Sequence, residues 1–143
     1  MMRQRYRRKS GQAVTAIRLQ LEFDGFTYRK WGADQRAQAG DWLVEHDGEV
    51  HTVAADSFAR TYQAVGTGRW LKTTQVWAEA ATQDGSVATK EGRTHFKAGD
   101  WLVSNEADGR DSYAMSADKF PQLYELDPGD VSANVKPSTG GRP

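Results

Sequence analysis

Residues 15–23 alternate in character, with Ile17, Leu19, Leu21 and Phe23 on one face and Arg18, Gln20 and Glu22 on the other. A period of two predicts a half-buried strand. Asp24-Gly25 follows as a two-residue hairpin signal, with residues 26–31 as the return strand. Ala39-Gly40-Asp41 then turns the chain into an apolar segment, Trp42-Leu43-Val44. Asp47-Gly48 predicts a second hairpin, closed by residues 49–53. Phe58 and Tyr62 stand four apart, so residues 54–62 read as a short helix with one aromatic face packed on the sheet.

The second half follows the same order. Residues 75–81 are a predicted strand, followed by Asp84-Gly85, a return at 87–90, strands at 101–105 and 113–115, and a helix carrying Phe120 and Tyr124. Ala39-Gly40-Asp41-Trp42-Leu43-Val44 recurs identically as Ala98-Gly99-Asp100-Trp101-Leu102-Val103. An internal repeat at the spacing of a small domain points to a tandem duplication. Extra residues in the second copy fall at 106–110, a loop tip, where insertions are tolerated. Pro121 requires an early-turn position in its helix.

The expected fold is therefore mainly β. It comprises two tandem, pseudo-symmetric small β-barrel or β-sheet repeats, each with hairpins and one short C-terminal helix. The expected divisions are a flexible basic arm (1–11), a first unit (12–66), a second unit (67–127) and a flexible Pro/Gly-containing tail (128–143). A unit near 60 residues buries only ~60% of its unfolded surface, so the halves should share a core or pack closely.

Composition adds one asymmetry. The chain of 143 residues has 19 basic and 19 acidic side chains, yet Arg3, Arg5, Arg7, Arg8 and Lys9 crowd one end without an acid among them. A basic arm on an acidic body suggests a partner for the arm. Absence of cysteine excludes disulfides and thiolate metal sites. No apolar run approaches a membrane span, and the cytoplasm (or the virion, for a phage-encoded chain) is the expected location.

The repeat resembles a small, mostly uncharacterised domain of bacteriophage, prophage and actinobacterial proteins. Tyr6-Arg7-Arg8-Lys9 resembles its basic opening, and Lys72-Thr73-Thr74-Gln75-Val76-Trp77-Ala78-Glu79 resembles the same opening in the second copy. Thr89-Lys90-Glu91-Gly92 matches its turn, and the two Gly-Asp-Trp segments match its core motif, with Ala39 and Ala98 replacing the usual Pro. Phe58…Tyr62 and Phe120…Tyr124 match its close; His51-Thr52 and Tyr113-Ala114 depart from a Tyr-Pro pair. The resemblance implies a fold and a phage or prophage setting, not a reaction.

Candidate chemistry is sparse. Asp41 and Asp100 could touch a ligand, but an Asp after Gly in a tight turn normally accepts backbone N–H bonds. Trp42 and Trp101 suit either the core or a paired stacking surface. Arg3, Arg5, Tyr6, Arg7, Arg8 and Lys9 form the candidate arm for nucleic acid or another partner. His46, His51 and His95 lack metal-ligand spacing, and no acid–base pair, nucleophile constellation or phosphate loop is evident. The expectation is a non-enzymatic module with no cofactor and no metal, binding a protein partner or assembling with itself. The alternatives are a virion or assembly protein using its extended termini, and a small-ligand or nucleotide-binding protein.

Overall fold

The computed structural model describes residues 3–128; the expected tail lies, past Pro128, outside them. Strands hold 51% of the described residues and helices 10%, so the protein is mainly β. The first sheet contains β2 (Val14–Arg18), β5 (Trp42–His46), β6 (Glu49–Val53), β7 (Tyr62–Gly66) and β8 (Arg69–Lys72), in the order β6-β5-β2-β8-β7. The second contains β1 (Gln4–Arg8), β9 (Val76–Ala80), β12 (Trp101–Ser104), β13 (Ser112–Met115) and β14 (Tyr124–Leu126), in the order β13-β12-β9-β1-β14. The two orders correspond strand for strand. All pairings within them are antiparallel.

That correspondence exposes a reciprocal exchange. β1 opens the first half of the chain but lies in the second sheet, between β9 and β14. β8 opens the second half but lies in the first sheet, between β2 and β7. Sheet membership thus departs from the 12–66 and 67–127 division at β8, which returns the hairpin begun by β7, while β1 comes from the segment expected to be an arm. The flexible arm expected at 1–11 is corrected outright: Gln4–Arg8 is an inner strand, hydrogen-bonded on both sides. Its charge pattern disguised it. Arg3 pairs with Glu79 at 2.8 Å, Arg5 with Asp127 at 3.2 Å and Arg7 with Glu125 at 2.8 Å, so acids of the body neutralise the basic strand. Tyr6 faces inward, edge-on to Trp101 and Phe120 with centroids 5.6 and 5.1 Å away.

Each sheet packs a short helix: α1 (Ala55–Thr61) on the first and α2 (Lys119–Leu123) on the second. Pro121 is the third residue of α2, where its missing N–H has no intrahelical partner to lose. Phe58 stacks between Trp42 (4.0 Å) and Tyr62 (4.5 Å); Phe120 stacks between Trp101 (4.4 Å) and Tyr124 (5.0 Å). Such aromatic stacks leave room only for small residues opposite, and Val14 and Ala16, or Val76 and Ala78, fill it.

This reverses the expected face of the first strand. Val14 and Ala16 are buried, whereas Ile17 is 63% exposed and Leu21 66%. A one-residue change of register exchanges the faces of a strand, and here the aromatic stack decides which face turns inward. The hairpins expected at Asp24-Gly25 and Asp84-Gly85 also differ. The actual hairpins are β3 (Phe26–Lys30) with β4 (Ala33–Ala37), and β10 (Gly85–Ala88) with β11 (Arg93–Phe96), each a separate two-stranded sheet. The hairpin at Asp47-Gly48 is as expected, with His46 opposite Glu49 and His51 opposite Val44.

Because β1 joins the second sheet across a short connection to β2, the two sheets should unfold as one cooperative unit. Phe58→Ala and Phe120→Ala should each lower the unfolding free energy by about 3–5 kcal/mol, and chemical denaturation should still show one transition. A two-step curve in which one step keeps its wild-type midpoint would contradict the interlock.

Candidate functional site

Because β1 and β8 run into opposite sheets, their last residues come together between the two halves. These are Arg8, opposite Tyr124, and Lys72, opposite Tyr62. Both line a cavity of about 340 Å³ that is walled by both sheets and both hairpins.

Arg8 is half-buried and Lys72 buried. Arg8 Nη2 donates to the hydroxyls of Tyr62 (3.1 Å) and Tyr124 (3.2 Å), and Nη1 donates to the Gln12 carbonyl (3.3 Å). Its Nε is shielded and has no hydrogen-bond partner. Lys72 Nζ donates to Asn105 Oδ1 (2.6 Å) and Tyr113 Oη (2.9 Å). Among the described residues neither cation forms an ion pair, although the cavity wall carries acids. Those acids are engaged elsewhere. Asp111 accepts from Ser57 Oγ (2.6 Å) and Asn105 Nδ2 (3.0 Å), Glu49 pairs with Lys119 (2.9 Å), and Glu91 accepts from the Ala54 N–H (2.9 Å).

The electrostatics follow from this crowding. Burial pushes the Lys72 ammonium below its usual range and the Tyr113 hydroxyl above its own. Burial would also raise Tyr124, but the Arg8 guanidinium and then the Lys72 ammonium outweigh it and bring this phenol down to about 8. Burial, followed by the positive charge of Lys30, takes His51 down to about 4, so its imidazole is neutral at physiological pH. Glu91 moves the other way: burial lifts its carboxyl to about 7.

The hairpins build the remaining wall. Gln35 and Gly92 bridge β4 to the turn before β11, and Arg36 N–H donates to the Glu91 carbonyl (2.7 Å). A Cβ at Gly92 would collide with the Asp34 carbonyl oxygen, so only glycine allows this approach. Buried Gln35 sends Nε2 to the Arg93 carbonyl (2.6 Å), and Tyr28 Oη anchors the first hairpin to Thr52 of β6. Lys90, from the second half, contacts Asp56 (2.9 Å) and Ser57 (2.8 Å) at the start of α1.

The residues singled out from the sequence occupy defined places. Asp41 Oδ2 accepts from Gln38 N–H (2.9 Å) and Oδ1 from Ala55 N–H (3.1 Å), tying the turn to the helix start. Asp100 does the same with Lys97 and Ala117, at 2.9 and 3.0 Å. Trp42 and Trp101 stack in the two cores. Arg3, Arg5 and Arg7 are in the ion pairs given above, Lys9 N–H bonds the Leu123 carbonyl (2.8 Å), and Arg8 alone of the basic strand reaches the cavity. His46 Nε2 lies 3.1 Å from Gln12 Oε1, and all three histidines, His46, His51 and His95, line the cavity. Among the described residues no cluster of His, Cys, Asp and Glu could hold a metal ion.

Sequence reasoning did not nominate Lys72, Tyr62, Tyr113 or Tyr124 as site residues. Their positions in matching motifs of the two halves were visible, but the exchange that brings them together was not. The chain matches no family model, no curated protein and no solved structure.

Glu91 gives a pH signature. Its folded pKa of about 7 lies above the ordinary carboxylate value, so the folded state holds a proton that the unfolded chain has already lost. Its contribution to stability therefore falls as pH rises from about 4.5 to 7. Glu91→Gln should match wild type near pH 4.5 and gain on it by on the order of 2–3 kcal/mol by pH 8, as read by denaturant melts at both pH values. An unchanged difference across this window would contradict the assignment.

Proposed function

We propose that the protein is a non-enzymatic binding protein for a small anionic organic molecule held in the central cavity. One observation carries the reading: Arg8 and Lys72 converge on that cavity without a carboxylate of their own. Withdrawing a cation from water is costly unless it is paired, and a structure that needed only stability would place an acid or an apolar side chain there. The tyrosine and asparagine oxygens solvate the charges without neutralising them. An anion entering from solution would complete the set. The volume fits one small ligand, since such pockets start at roughly 300 Å³.

Docking of a protein partner is a second reading. It is favoured by the exposed large side chains Ile17, Leu21 and Phe26, which fall in a single stretch of chain. Phe23 stacks on Phe26 in the same stretch, at 6.2 Å.

Lys72→Met separates ligand binding from folding. Without ligand this variant should melt close to wild type, because relief from burying an unpaired ammonium offsets the hydrogen bonds lost to Asn105 and Tyr113. The upward shift in melting temperature that organic phosphates or carboxylates give the wild-type chain should disappear. If no anion shifts the wild-type melt, or if Lys72→Met keeps the shift, this reading fails.

A further inference from the structure

The cavity has a second feature, remote in sequence from its cations. The β3–β4 hairpin closes through Trp31-Gly32, with φ of 58° and 81°, the two positive values of a type I′ turn. The β5–β6 hairpin closes in the same way through Asp47-Gly48, with φ of 51° and 84°. Asp-Gly and Asn-Gly are the sequences that such turns favour, because short polar side chains tolerate left-handed backbone. A bulky indole at this position is a conformational outlier.

Folding gains little from the indole there, since Trp31 remains 38% exposed and lies outside both core clusters. It lines the cavity instead, edge-on to His51 at 5.5 Å, with Lys30 Nζ 5.3 Å from its ring centroid. His51 is neutral at physiological pH, so this end of the cavity offers aromatic surface and hydrogen-bonding groups. The carboxyl of Glu91 and the hydroxyl of Thr94 line the same space.

We infer that the ligand is a planar heteroaromatic ring carrying a phosphate, of nucleoside monophosphate size. Its ring lies against Trp31, and its phosphate is held by Arg8 and Lys72. This inference rests on the anion-binding reading above and adds the ring to it. Two cations and the phenols of Tyr62 and Tyr124 suit a group with several charged oxygens better than a single carboxylate. Aromatic side chains tolerate any base, so the indole sets the class of ligand and not its identity. A volume of about 340 Å³ is at the lower end for organic ligands, which favours a mononucleotide over a dinucleotide.

The test is calorimetric titration of the full chain with adenosine monophosphate, ribose 5-phosphate and adenosine, repeated on Trp31→Asn. Asparagine suits the left-handed turn, so this variant should fold at least as well as wild type. Adenosine monophosphate should bind wild type about tenfold or more tightly than ribose 5-phosphate, and adenosine should bind more weakly still. Trp31→Asn should lose most of the advantage of the ring while keeping the affinity for ribose 5-phosphate. Equal affinities for the two phosphates, or unchanged nucleotide binding in Trp31→Asn, would overturn the ring assignment and leave the anion site standing. Failure of both phosphates to bind wild type would overturn the phosphate assignment, and the anion site with it if carboxylates also leave the melt unshifted.

Discussion

The structure depends on the reciprocal exchange of two short strands. β1 and β8 each complete the sheet built mainly by the other half of the chain, and each is an inner strand with neighbours on both sides. The first sheet draws on one stretch of chain, residues 14–72, whereas the second cannot close without β1, which lies about seventy residues or more from its partners. A unit near 60 residues is marginal alone; β1, inserted between β9 and β14 and joined by a short connection to β2, ties the second sheet to the first. The connections from β1 to β2 and from β8 to β9 are short, so they hold the two sheets close together. A cavity bounded by both sheets follows from this topology, as does the arrival of the last residue of each exchanged strand at its wall.

Those last residues are where stability and function part. Several charges are paired on or near the surface, among them Arg3, Arg5 and Arg7 with acids across the second sheet, and Lys119 with Glu49. Surface pairs of this kind are worth about 0–1 kcal/mol each, so they fix alignment more than they add stability. Arg8 and Lys72 continue the same strands inward but meet phenols and an amide in place of carboxylates. The Arg8 guanidinium and then the Lys72 ammonium lower the Tyr124 hydroxyl against the effect of burial. Trp31 repeats the pattern in the backbone, with a left-handed turn residue whose side chain serves the cavity more than the fold.

Local signals in the sequence were legible where local physics decides the outcome. Gly-Asp turns, the Trp-Leu-Val strand starts, the Asp47-Gly48 hairpin and both helices follow from turn chemistry and spacing, and they are where the pattern put them. Pattern failed where tertiary packing overrides it. The apolar row Ile17, Leu19, Leu21 and Phe23 outscored Val14 and Ala16 as a core face, but the aromatic stack on Phe58 selects the small residues. β4 and β11 lack the β-branched runs that mark strands, since Ala33–Ala37 and Arg93–Phe96 are held by hairpin pairing and by each other. The basic segment looked like an arm because its neutralising acids lie some seventy to more than a hundred residues away in sequence. For the site, each half showed its cation and tyrosine, while their convergence required the exchange, which no local pattern encodes.

An experimental structure of the chain crystallised with adenosine monophosphate tests the central claim most directly: that exchanged strands deliver two unpaired cations to a ligand cavity. The account predicts Gln4–Arg8 paired between Val76–Ala80 and Tyr124–Leu126, with phosphate density between the Arg8 guanidinium and the Lys72 ammonium. A basic segment detached from the second sheet, or Arg8 and Lys72 paired with carboxylates of the chain around an empty cavity, would contradict it.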